Sequence, residues 1–149
     1  MAEYLAVSAQ NVSLNQAAIF TASIPCRAGN VIFENDTGVF ILRGNTNNCF
    51  ARYSVDFNGN IALPEGGTPG PIAVAITVNG ETRLSSLAIS TPAAAEEYNN
   101  VTSTAIIDVP KGCYYFVSLR HVPASTDPTA TPAAVVSIQN GNFRIVRTA

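Results

Sequence analysis

GPIAVAITVNGETRLSSLAIS, residues Gly70 to Ser90, is the stretch whose reading decides the fold. Ile72, Val74, Ile76 and Val78 alternate with Ala73, Ala75 and Thr77, and a period of two residues is that of a β-strand. Asn79-Gly80 follows at once, and both central residues of a type I′ turn need the positive φ that Asn and Gly adopt cheaply. The spacing predicts a hairpin whose second strand runs over Thr82–Ile89, with Ser85-Ser86 shifting the alternation by one residue as a bulge does. One feature is unusual for a half-solvated strand: the second face carries small apolar residues where polar ones are expected.

Outward from this hairpin, turn signals recur at Ala28-Gly29-Asn30, Asp36-Thr37-Gly38, Asn58-Gly59-Asn60, Lys111-Gly112 and Asn140-Gly141-Asn142. Runs rich in Val, Ile, Phe, Tyr and Thr lie between them, the cadence of an all-β sandwich or barrel. The remaining strands are expected at Ala17–Ser23, Val31–Phe33, Gly38–Arg43, Phe50–Phe57, Val101–Val109, Cys113–Arg120, Ala134–Ile138 and Asn142–Arg147. LPEGGTPGP (63–71) and VPASTDPTATPA (122–133) are long enough to cross a sheet end, as jelly-roll connections do. The first sixteen residues, polar and Ala-rich with YLAV as their apolar cluster, read as an arm preceding a single domain at 17–149.

The 149 residues are 47% apolar and only 12% charged, with a net charge of −2 and a single lysine. That excludes a disordered chain and leaves no basic footprint for nucleic acid or anionic lipid. No stretch approaches the length of a membrane span, and MAEYLAVSAQNVSLNQ lacks the basic and apolar regions of a signal peptide, so a chain made and folded in a cytosol is expected. Cys26, Cys49 and Cys113 lack metal-site spacing and read as buried free thiols.

No catalytic constellation emerges. His121 is the sole histidine, without the spacing of a metal site or a nucleophile elbow beside it, and reads as a surface or interface residue at a loop start. Glu96-Glu97 reads as a solvated pair, and Asp56 and Asp108 fall within strands, where Asp108 can pair with an arginine across a sheet. No enzyme activity, cofactor or metal is expected. Asn45, Asn47 and Asn48 in GNTNNC, and Asp127 in the long Pro-rich loop, are candidates for a cation- or sugar-binding loop, although Asn and Asp are also ordinary turn residues.

The apolar second face recurs: Val39 and Ile41 oppose Phe40 and Leu42, and Tyr115 and Val117 oppose Tyr114 and Phe116. A two-sheet sandwich has one core, so a second apolar face points to a subunit interface, with Ala73 and Ala75 allowing close approach and Tyr114 and Phe116 supplying area. The alternative is a closed barrel or fuller core that absorbs both faces.

The succession of GPIAVAITVNGE, YNNVTSTAIIDVPKGCYYFVSL and AVVSIQNGNFRIVRTA resembles the globular heads of bacterial and phage collagen-like proteins, which are similar to tumour-necrosis-factor and complement-type heads. The resemblance covers about Ala17 to Ala149 and implies a jelly-roll β-sandwich of about ten strands assembled as a homotrimer, with Tyr114, Tyr115 and Phe116 on a strand that lines the axis. No Gly-X-Y stalk precedes the head; the arm, through Tyr4, Leu5 and Val7, would attach it to capsid or other virion proteins. The implied role is a structural protein that decorates or builds a bacteriophage particle. The alternative is an adhesin head on a bacterial or spore surface that binds a glycan or receptor through its loops.

Overall fold

The computed structural model describes residues 2–24, 31–33, 37–125 and 131–149, and within these the chain is a two-sheet sandwich. Twelve strands are described. β1 (Ala2–Ala6), β2 (Gln10–Ser13), β3 (Ala22–Ile24), β6 (Phe50–Ala62), β10 (Asn99–Pro110) and β12 (Val135–Arg147) form one sheet, in the order β10-β6-β12-β1-β3 with β2 also paired to β12. β4 (Val31–Phe33), β5 (Phe40–Arg43), β7 (Ile72–Val78), β8 (Glu81–Thr82), β9 (Ala88–Ser90) and β11 (Tyr114–Val122) form the other, ordered β4-β5-β11-β7-β8 with β9 also on β7. Every strand pairing is antiparallel, and apart from the consecutive pairs β4–β5 and β7–β8 most neighbours in the sheets are distant in sequence, the crossover pattern of a jelly roll.

The expected hairpin is present. Asn79 and Gly80 take φ of 52° and 85°, and Thr77 and Val78 pair with Thr82 and Glu81. Its second strand is shorter than the sequence suggested. Ser85-Ser86 lies in a 3-10 turn (Leu84–Ser86), because the Ser86 hydroxyl accepts the Ile76 N–H at 3.0 Å and donates to the Arg83 carbonyl at 2.6 Å. A side chain bonded to its own chain competes with the ladder, so pairing resumes only at β9.

Two expectations fail at the ends of the chain. Residues 1–16 are not a separate arm: β1 lies between β12 and β3, with Tyr4 and Ala6 in the core, and β2 pairs with the start of β12. The alternation Tyr4/Ala6 inward and Glu3/Leu5 outward is that of a sheet strand, too short to stand out in a polar context. Asn140-Gly141, read as a turn between two strands, is a bulge inside the single strand β12, with Asn140 at φ 52°. Its left-handed backbone serves a bulge as readily as a hairpin.

The core is aromatic where the sheets face each other. Phe40 of β5 stacks on Phe143 of β12 at 4.8 Å and meets Tyr4 of β1 at 4.5 Å, while Phe20 contacts Phe40, Phe57 and Phe143. The four phenylalanine rings, with Tyr53, Ile76, Ile107 and Leu119, are fully enclosed, Tyr4 is nearly so, and together they account for the main apolar burial that drives folding. A second, smaller cluster lies on the other side of β7, where Ala73, Ala75 and Val122 are buried with Leu87 and Ala124 packed against them.

Candidate functional site

That second cluster answers the question raised by the two-faced strand. Ala73 and Ala75 have no exposed surface in the single chain, so they cannot form the trimer contact assigned to them from sequence. Their small side chains sit opposite Val122 and Arg120 of β11, and beyond them the Thr77 and Ser118 hydroxyls bond at 2.6 Å. The fold absorbs the second face of β7 itself, the fuller-core alternative. Periodicity reports that a face is buried and carries no record of which chain buries it.

Tyr114 and Phe116 are different: 62% and 47% exposed, they stand on the outer face of β11 opposite Arg43 and Ile41 of β5. Val7, Phe50 and Tyr98 are exposed singly on other elements, and three more large apolar side chains are over half exposed. Leu84 (66% exposed) lies in the 3-10 turn, Ile89 (51%) in β9 and Ile106 (64%) in β10, and β10 packs beside both the 3-10 turn and β9. The Ser103 hydroxyl donates to the Ser86 carbonyl there, tying β10 to the 3-10 turn. The outer face of β10 and β6 is otherwise polar. Arg52 binds Asp108 through two bonds of 2.7 and 2.9 Å, and the Asn100 amide donates to Asn58 and Asn60. The expected Asp108–arginine pair is thus present, and its hydrogen bonds hold the Asp108 carboxyl below the usual carboxylate range.

Of the residues assigned to scaffold attachment, Tyr4 is in the core, Leu5 is half-buried and Val7 is exposed in the turn after β1. Burial of Tyr4 against Phe40 removes it from any partner. Asn45, Asn47 and Asn48 are exposed between β5 and β6, where the Thr46 hydroxyl accepts the Asn48 N–H at 3.1 Å. Asp127 and Cys26 lie outside the described residues. Cys49 and Cys113 are exposed and free, not buried as expected, because each flanks a connection at one end of the sandwich rather than a strand centre. Glu96 and Glu97 are exposed in the connection before β10.

The Asn loop gains neighbours that no local pattern revealed. It faces the β10–β11 turn across a cleft of about 360 Å³ lined by Arg43, Asn45, Thr46, Lys111 and Tyr114. The floor is rigid: Gly44 N–H donates to the Cys113 carbonyl at 2.8 Å and Gly112 N–H to the Gly44 carbonyl at 3.0 Å. A Cβ on Gly44 would collide with the Pro110 carbonyl, so glycine there permits the close approach of the two segments. A second cleft, about 550 Å³, opens between residues 63–71 and 131–135 and is lined by prolines and glycines with Glu65 as its acidic group.

His121 is not at the surface. It is buried on the inner side of β11, its Nδ1 3.0 Å from the Val12 carbonyl, and the backbone on either side pairs with Asn15 and Gln16. Burial pushes its pKa below the ordinary histidine value, opposed by the carbonyls of Val12 and Ser13. A lowered native pKa means that the unfolded chain binds the proton more readily. The stability held by neutral His121 is therefore fully present above about pH 6.5 and is lost as the pH falls through the lower native value. Urea midpoints measured from pH 7.5 down to 5 should decline, and H121Q should flatten the decline over that window.

No family model and no curated relative matches the chain. Solved structures do. The globular domain of zebrafish complement 1qA aligns over 99% of this chain and 97% of its own at a TM-score of 0.58 and 13% identity. The Eiger tumour-necrosis-factor structure from S. frugiperda aligns over 100% and 92% at a TM-score of 0.67 and 14% identity. With the strand order above, this chain has the jelly-roll fold of the tumour-necrosis-factor and complement globular heads.

Proposed function

We propose that the protein is a non-enzymatic structural head that self-associates as a homotrimer and decorates or builds a larger assembly, a bacteriophage virion in the finer reading. The observation that carries the self-association is the border of Leu84, Ile89 and Ile106, three large apolar side chains each more than half exposed on elements that pack beside one another. Edge strands with apolar exposure are what natural sandwiches cover, and apolar area returns about 25 cal/mol per Å² when buried. The ion pair of Arg52 and Asp108 leaves the neighbouring β10 face neutral, which favours close approach of like copies. The Tyr114 face suits self-association less, because Arg43 and Lys111 beside it would bring like charges together around an axis.

Attachment to a scaffold is assigned to the exposed turn at Val7–Ala9, since the strand before it is committed to the sheet. The test is a pair of variants on a sizing column with light scattering. Ile106→Arg and Ile89→Arg should each reduce the particle to a folded monomer, while Glu97→Arg leaves it intact. Unchanged mass in both arginine variants would refute this surface.

A further inference from the structure

We propose that the cleft between the β5–β6 loop and the β10–β11 turn binds a carboxylate-bearing sugar. Lys111 would meet the carboxylate, Asn45 the hydroxyls, and the Tyr114 ring the apolar face of the pyranose. This goes beyond the trimeric-head reading and does not depend on it, because one chain builds the whole cleft.

The charge argument comes first. The protein carries a net charge of −2, yet its single lysine lines this cleft, and none of the described lining residues is acidic. Asp108, three residues before Lys111, is held by two bonds to Arg52. The cleft is thus a local positive site on an acidic protein, where a small anion gains charge-assisted hydrogen bonds.

Shape and polarity narrow the class. An inorganic anion needs neither an exposed aromatic ring nor a carboxamide. Tyr114 offers 62% of its surface beside Asn45, which has both donor and acceptor, as ring hydroxyls require. The volume, about 360 Å³, lies at the lower end of small-ligand sites and suits one sugar ring rather than a long chain. The site is also preformed. The two backbone bonds at Gly44 and Gly112, the Tyr53 hydroxyl donating to the Arg43 carbonyl at 2.5 Å, and the Thr46–Asn48 bond fix both walls before a ligand arrives. Preorganisation lowers the ordering cost of binding.

The test is a titration of the full chain, followed by backbone amide chemical shifts, with glucuronate, glucose and inorganic phosphate at 0.15 M ionic strength, close to physiological screening. Glucuronate should shift the amides of Gly44–Thr46 and Lys111–Tyr114 saturably, with a Kd on the order of 1 mM. Glucose and phosphate should each bind about tenfold more weakly, as each satisfies only half of the cleft. Lys111→Gln and Tyr114→Ala, both on exposed side chains, should each weaken glucuronate about five- to tenfold while the other amide signals stay in place. The proposal is overturned if glucuronate leaves those amides unmoved, if phosphate matches it, or if both variants bind as the parent does.

Discussion

Phe40→Ala is expected to lower the unfolding free energy by about 3–5 kcal/mol, the cost of truncating a buried phenylalanine in a packed core. Phe40 belongs to β5 in one sheet, yet its ring stacks on Phe143 and tilts against Tyr4 in the other, so its loss opens a cavity between the sheets. Domains of this size hold only about 5–15 kcal/mol in total. The variant should unfold at markedly lower urea than the parent while keeping the same slope, as long as both remain two-state. A midpoint within experimental error of the parent would mean that the inter-sheet aromatic contact is not where the fold's stability lies.

Ala75→Arg is expected to fail at the level of the single chain. Ala75 is enclosed and directly opposite Arg120 on β11, whose Nε is already buried without a partner among the described residues. A second guanidinium there has no room, no acceptor and a like charge facing it, the combination behind the largest single-residue losses, about 4 kcal/mol or more. The variant should be recovered unfolded or aggregated. A folded Ala75→Arg monomer would instead restore the reading that this face is covered by another subunit.

The difference between these readings shows where sequence stops. β4 and β7 have the boundaries read from their patterns, and Asn79-Gly80 closes the hairpin, because those signals are local in origin. β1 resembles an arm in the sequence because Tyr4 and Ala6 supply only two inward positions, and pairing with β12 joins residues at opposite ends of the chain. Asn140-Gly141 carries the signal of a turn since left-handed backbone marks a reversal and a bulge alike. Ala73 and Ala75 correctly signalled burial, but closure by Val122, Leu87 and Ala124 depends on tertiary packing. The cleft was legible only in part: Asn45 came from its own loop, whereas Lys111 and Tyr114 reach it through bonds between Gly44 and Gly112–Cys113, nearly seventy residues away.

The grouping of Leu84, Ile89 and Ile106 has the same limitation, since Leu84 lies in the 3-10 turn, Ile89 in a strand of one sheet and Ile106 in a strand of the other. It is an apolar surface only after the sandwich closes. On this account the sandwich is complete by itself and the border is what drives copies together.

The most direct measurement is the solution mass of the purified protein by light scattering, at micromolar concentration and physiological salt. The account predicts a single species of three times the 15.6 kDa chain. A monodisperse 15.6 kDa particle would contradict it, and the exposed border would then be a surface that this chain does not use for itself.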